Sequence, residues 1–202
     1  VSLLIAATAG FAKFAMMWAP APVSRLLANL DVKIKENPKD ANLHYLAGRL
    51  HAYIYSQNAA ANANAMTDRD KETKAQLPSW PHFDSITGMN SPAPAPSSKA
   101  IEHLKVSIAE YTQSIQLGGN KELTYLGLGW DLEQADKYAA LMGPPQSGLQ
   151  KTTPPLSYKL QAMYAYRRAY AMSISEDLKR ESHNISIPGI SVEAGEGMLR
   201  LA

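Results

Sequence analysis

The chain has no cysteine among its 202 residues, so disulfide bonds and zinc sites built from thiolates are excluded. Its 20 basic and 18 acidic residues give a formal net charge of +2, and no long basic run occurs. Nucleic-acid binding requires a concentrated basic surface, so we expect no nucleic-acid partner. The sequence also lacks G-x-S-x-G, G-x-x-x-x-G-K-[ST], H-E-x-x-H and the dinucleotide fingerprint. We therefore expect no catalytic residues and no cofactor.

Two sets of polar residues are of the types found in metal sites or in acid–base catalysis. His44 and His51 are seven residues apart on one predicted helix, but no carboxylate stands at ligand spacing beside them. We expect no metal site there. The acidic residues Asp131, Glu133 and Asp136 have the types needed for acid–base catalysis, but a solvated helix face is the expected interpretation.

Residues 1–20, VSLLIAATAGFAKFAMMWAP, are the most apolar stretch of the chain. Three interpretations remain open: the core of an export signal, a membrane anchor of residues 1–19 interrupted by Lys13, or an ordered helix. The first two predict an extracytoplasmic location, periplasmic or secreted, with possible membrane contact through this segment.

The remainder, residues 21–202, predicts one helical domain. Apolar residues at three- and four-residue spacing predict helices at about 23–36, 41–57, 98–117, 122–141, 156–173 and 190–202. Pro38 and the Gly118-Gly119-Asn120 sequence end two of them. Proline-rich insertions occupy about 58–97 and 143–155. No strand pattern is evident, and the predicted class is all-α.

Three predicted helices contain an interior glycine, although glycine there costs about 1 kcal/mol relative to alanine. Gly48, Gly129 and Gly195 each follow an apolar residue and precede a bulky one three residues later. Two other helices carry a small-aromatic-small order at matching spacing. Its members are Ser107, Tyr111, Ser114 and Leu117 in one, and Ala162, Tyr166, Ala169 and Met172 in the other.

These two patterns resemble helix A and helix B of the tetratricopeptide repeat (TPR) family. The resemblance implies an array of about three helix pairs, in which the glycine lets helix B lie close to helix A. The chain departs from the family in spacing, because Gly48 and Gly129 are 81 residues apart and Gly129 and Gly195 are 66 apart. The repeat length of the family is about 34 residues. An unrelated helical bundle is the alternative.

In TPR proteins, helix A side chains line a concave groove that binds partner proteins or peptides. Carried over to this chain, the partner-binding residues are Asn42, Tyr45, Arg49, Tyr53, Leu126, Trp130 and Glu133, with Leu123 beside them. The implied function is a non-catalytic scaffold or accessory subunit of a larger, membrane-associated or extracytoplasmic assembly. The alternative is a small helical ligand-binding protein or enzyme. Its pocket would lie between the aromatic helix 156–173 and the loop around Trp80 and Phe83.

Overall fold

A computed structural model describes residues 18–68, 95–119, 122–145, 156–181 and 189–202. Within these ranges the chain is mostly helical, which confirms the all-α class at that level. The elements in chain order are β1 (Trp18–Pro22), α1 (Val23–Glu36), α2 (Ala41–Ser56), β2 (Asn64–Asp68), α3 (Ser98–Gln116), α4 (Glu122–Lys137), α5 (Ala139–Met142), α6 (Tyr158–Glu181) and α7 (Ile190–Leu201).

The expectation that the chain contains no strand is wrong at one place. β1 and β2 pair antiparallel, with Pro20 opposite Met66 and Ala21 opposite Ala65. A two-stranded sheet consists only of edge strands, where proline is tolerated because one side of each strand needs no ladder hydrogen bonds. β1 also places residues 18–20 outside any N-terminal helix. Residues 1–17, which carry the signal and anchor predictions, lie outside the described residues, as does the Trp80–Phe83 loop.

Local sequence accounts for the helix ends. The Asp40 side chain caps α2 by accepting hydrogen bonds from the backbone N–H groups of Asn42 and Leu43, at 2.8 and 3.3 Å. Gly118 ends the α3 region with φ +90°, a left-handed conformation that glycine adopts without strain. The predicted helix 122–141 is divided into α4 and the single turn α5, and α6 continues to Glu181, beyond the predicted end at 173.

The helices pack in sequence-distant pairs: α2 lies along α3, and α4 lies along α6. Contacts between α3 and α4 join the two pairs, and α7 packs against both α6 and α4. One apolar core runs through α2, α3, α4, α6 and α7, while a second joins α1, α2 and the sheet. No helix within the described ranges has both the length and the apolar character needed to cross a bilayer.

Two tyrosine rings in the core each lie against two glycines. A Cβ added to Gly48 of α2 would lie 2.9 Å from Cγ of Tyr111, and one added to Gly127 of α4 would lie 2.5 Å from Cζ of the same ring. We call each such arrangement a glycine–tyrosine joint. In each joint the tyrosine ring of one helix, rather than its backbone, occupies the space where a glycine of another helix has no side chain.

The second joint repeats this order one helix pair later. A Cβ on Gly129 of α4 would lie 2.7 Å from Cδ1 of Tyr166, and a Cβ on Gly197 of α7 would also overlap that ring. The sequence pattern selected Gly195 as the contact glycine of the last helix, and that assignment is wrong. A Cβ on Gly195 would have no neighbour within 4 Å, because the face of α7 that meets Tyr166 is set by Gly197, two residues later.

Candidate interaction surface

The predicted partner-binding residues of α2 lie in three different surroundings. Asn42 is exposed and Tyr45 is half-buried near the start of the helix, whereas Arg49 is only 4% exposed. Nη1 of Arg49 donates a hydrogen bond to the Tyr45 hydroxyl at 2.8 Å, which fixes the direction of the Tyr45 ring. The half-buried Tyr53 donates its hydroxyl proton to the Asn64 carbonyl at 2.7 Å, so it secures the sheet to α2.

The predicted residues of α4 are mainly part of the core. Leu126 and Trp130 are 2% and 4% exposed, and the Trp130 ring packs edge-on against Tyr55 with ring centres 5.8 Å apart. Glu133 is half-buried and connects three helices. It accepts a hydrogen bond from the Tyr166 hydroxyl at 2.6 Å and forms an ion pair with Arg200 of α7, whose Nε lies 2.8 Å away.

Asn42 and Tyr45 therefore come together at one surface, away from Tyr53, Trp130 and Glu133. They open onto a cavity of about 270 Å³ at the start of α2, which we call the α2 cavity. The start of α2 adds Asp40 and Ala41 to its walls, and the end of α3, the following turn and the start of α4 add Ser114, Gly118, Gly119 and Thr124. The cavity surface is more apolar than polar, and its size suits a single inserted side chain.

A second cavity of about 370 Å³ lies between α3, α5 and α6. Apolar groups from Ile108, Met142 and Tyr158 meet the amides of Gln113 and Gln161 in its lining. The predicted ligand pocket has its α6 side in common with this cavity, through Tyr158 and Gln161. The other predicted wall, at Trp80 and Phe83, lies outside the described residues. Burial raises the pKa of Tyr158, and no carboxylate or histidine lines this part of the described chain. The titratable side chains in the lining are Lys105 and Tyr158.

Asp131 lies in the core, which overturns its assignment to a solvated helix face. It is fully buried, and Oδ2 lies 2.5 Å from Oγ of Ser107, while the same Oγ lies 2.6 Å from the Gly48 carbonyl oxygen. A hydroxyl has one proton to donate, so a protonated Asp131 carboxyl satisfies both short contacts by donating to Ser107. Burial raises the pKa of Asp131 well above its ordinary value, which favours that protonated form.

The sequence contains no local signal that Asp131 is buried. Asp131 follows Gly127 by one helical turn, and Gly127 faces Tyr111 of α3. The repeat pattern selected Gly129 instead, which faces Tyr166 of α6. The acidic residues between 131 and 136 predicted a solvent-exposed helix face, but α4 is buried on nearly all sides.

His44 and His51, for which the sequence predicts no metal site, have different partners. His44 is buried and has both ring nitrogens occupied: Nδ1 lies 2.7 Å from Oε2 of Glu110, and Nε2 lies 3.0 Å from the Pro38 carbonyl oxygen. Both neighbours are acceptors, so both bonds form together when the ring carries two protons. Within the described ranges no group of three or more histidine, aspartate or glutamate side chains is placed to hold a metal ion.

Comparison with protein-family models, with curated proteins and with solved structures finds no match to this chain.

Proposed function

We propose that this chain is a non-catalytic interaction scaffold built from helix pairs of the TPR type, and that it holds a protein partner. The observation that carries this proposal is the recurrence of the glycine–tyrosine joint. Tyr111 lies between Gly48 and Gly127, and Tyr166 lies between Gly129 and Gly197.

The order within each joint is the same. A glycine of the first helix of a pair meets the tyrosine of the second helix, and this tyrosine also meets a glycine on a third helix, which is α4 in one joint and α7 in the other. The two joints recur although the connections between their helices differ in length, from 41 residues (57–97) between α2 and α3 to 20 residues (138–157) between α4 and α6. A contact that persists across such different connections supports a repeated structural unit. Repeat folds present extended surfaces to partners.

The α2 cavity is the surface on which we propose that the partner docks. Tyr45 is held in place by Arg49, so little side-chain freedom would be lost when a partner covers it. Tyrosine is among the residues that contribute most to binding energy at interfaces. Asn42 is exposed beside it and supplies both a donor and an acceptor. The proposed partner is a protein or peptide segment that inserts one side chain into this cavity, with Asn42 available to bond its backbone.

The setting that we propose is an accessory subunit of a membrane-associated or extracytoplasmic assembly, as the apolar segment 1–20 suggests. The test is co-purification from native membranes in mild detergent, with a tag at Ala202 and identification by mass spectrometry. We expect a stoichiometric partner with the wild-type chain and a loss of most of it with the double substitution Asn42→Ala, Tyr45→Ala. Val32→Ala, at an exposed site on α1, is the matched control.

Recovery of the chain alone would overturn the scaffold proposal. Equal partner recovery with the double substitution and with the control would retain the scaffold and remove the α2 cavity as its docking site.

The cavity between α3, α5 and α6 favours a second candidate, a small-molecule carrier. Its volume of about 370 Å³ lies at the lower end of the range of ligand pockets, about 300–1,000 Å³. The mixture of apolar walls, glutamine amides and the Lys105 side chain suits a small ligand with hydrogen-bonding groups that is uncharged or anionic. A thermal-shift screen of uncharged and anionic metabolites tests this candidate. A hit must lose its effect when Ile108→Trp fills the cavity.

A further inference from the structure

His51 of α2 and His103 of α3 face each other across the helix interface, and neither belongs to the α2 cavity. The two Nδ1 atoms are 2.8 Å apart, and the ring centres are 5.0 Å apart with the planes tilted by 36°. Each ring is half-buried. The backbone that carries the pair is rigid, because the Ser107 hydroxyl contacts the Gly48 carbonyl one turn away and Tyr111 fills the Gly48 joint.

We propose that His51 and His103 together bind a divalent transition metal, each through one ring nitrogen. The metal would be Cu²⁺ or Ni²⁺, which favour square-planar or tetragonal coordination. Water would complete the coordination. This departs from the sequence expectation of no metal site, which considered His51 only together with His44.

The two nitrogens are close enough for one metal ion to bind both. Two imidazole nitrogens, each about 2.05 Å from one metal ion, are about 2.9 Å apart when they subtend a right angle and about 3.3 Å apart in a tetrahedron. The 2.8 Å separation is the length of a hydrogen bond between the rings, and a small change would let one ion bind both nitrogens. Among divalent first-row metals, a nitrogen site binds Cu²⁺ most tightly. Square-planar or tetragonal nitrogen sites are typical of Cu²⁺ and Ni²⁺ rather than Zn²⁺. Only a rotation of each ring is needed, so that the lone pairs converge on a point beside the line between the nitrogens.

The protonation of the pair also suits metal binding. Burial, with a smaller effect from His103, lowers the pKa of His51 to about 4. Burial and the charge of Lys99 lower the pKa of His103, while Glu102 acts in the opposite direction. Both rings are therefore neutral near pH 7, and neutral imidazole is the form that binds metals. In the metal-free state one ring donates its Nδ1 proton to the other. Metal binding at both Nδ1 atoms moves that proton to Nε2 of the same ring, so both rings stay neutral and no proton is released.

The test is titration of the full chain with Cu²⁺ at pH 7.5, followed by calorimetry, in a His82→Gln, His183→Gln background. This background removes the two histidines that lie outside the described residues. We expect one equivalent to bind, and electron paramagnetic resonance of that adduct to show two nitrogen ligands. Zn²⁺ is expected to bind more weakly than Cu²⁺.

Two substitutions of nearly equal shape separate a ligand role from a structural role. Asp and Asn both place a polar atom where Nδ1 of His103 lies, but only the carboxylate is a good ligand. His103→Asn should weaken Cu²⁺ binding by at least about tenfold. Metal affinity already falls by about tenfold or more when a residue that only hydrogen-bonds to a metal ligand is changed. His103→Asp should recover part of that loss.

Equal affinities in the wild type and in His103→Asn would overturn the proposal. If both substitutions prevent folding, the resonance spectrum of the wild-type adduct decides. Two equivalent nitrogen ligands support the pair, and one or none overturns it.

Discussion

A methyl group added at Gly129 would lie 2.7 Å from Cδ1 and 2.8 Å from Cε1 of Tyr166. Carbon atoms in contact prefer about 3.5–4.0 Å, so the ring or the helix must move by about 1 Å. The ring cannot easily move away, because Gly197 lies against it and its hydroxyl is held by Glu133 at 2.6 Å. Overpacking of this kind costs about 1–3 kcal/mol of the free energy of unfolding.

The same substitution also gains helix propensity, about 1 kcal/mol for alanine over glycine. The expected net effect of Gly129→Ala is thus a destabilisation of about 0–2 kcal/mol. Gly195→Ala is the matched control, because it makes the same change inside α7 with no neighbour within 4 Å of the new methyl group. It should stabilise the protein by about 0.5–1 kcal/mol. The difference of about 1–3 kcal/mol between the two variants isolates the contact with the Tyr166 ring.

Urea denaturation followed by circular dichroism measures both variants against the wild type. The comparison is repeated in a Tyr166→Leu background, where the smaller side chain leaves room for the methyl group. There Gly129→Ala should become neutral or stabilising. Equal stabilisation by Gly129→Ala and Gly195→Ala in the wild-type background would refute the packing role of the joint.

Three further predictions concern polar contacts. The raised pKa of Asp131 means that the native state binds its proton more tightly than the unfolded state does, so this contribution is full below about pH 4, the unfolded value, and is lost as pH rises. The stability of the wild type should therefore fall relative to that of Asp131→Asn above pH 4, by at most about 1.4 kcal/mol per pH unit, in urea titrations from pH 4 to 8. A difference independent of pH would contradict the buried, protonated carboxyl. Asp40→Ala removes the cap of α2 and should cost about 1 kcal/mol in the same assay, whereas Asp40→Asn, which can still cap, should cost less. Glu133→Leu should cost about 1–3 kcal/mol and exceed the loss in Arg200→Leu, because it removes the acceptor of the buried Tyr166 hydroxyl while the Arg200 side chain is 42% exposed. Equal losses in the two variants would mean that the ion pair, which both variants break, dominates over the tyrosine hydrogen bond.

Local signals predicted the helices well. α1 ends just before Pro38 and α3 ends just before Gly118, as the sequence predicts. α2 starts directly after Asp40, whose side chain caps it. Interior glycines that oppose helix propensity indicated close packing, and Gly48 and Gly129 do contact the tyrosines that the helix B pattern singled out.

The predictions that were wrong depend on how each helix is rotated about its own axis. No local sequence pattern determines that rotation. A shift of two residues moves the contact in α7 from Gly195 to Gly197. The face of α4 that carries Trp130 turns into the core, because that helix is covered on nearly all sides. The pairing of His51 with His103 and of Ser107 with Asp131 joins residues 52 and 24 positions apart, and only the packed helices bring them together.

Gly127 and Gly129 lie two residues apart on α4, and each belongs to a different glycine–tyrosine joint. Unfolding of α4 would therefore release Tyr111 and Tyr166 together, which couples the two helix pairs into one cooperative unit. The residues of α1 and the sheet pack in a separate core and have no such link to α4. In native-state hydrogen exchange, amides of α3, α4 and α6 should thus open in a single step with similar protection, while those of α1 open earlier.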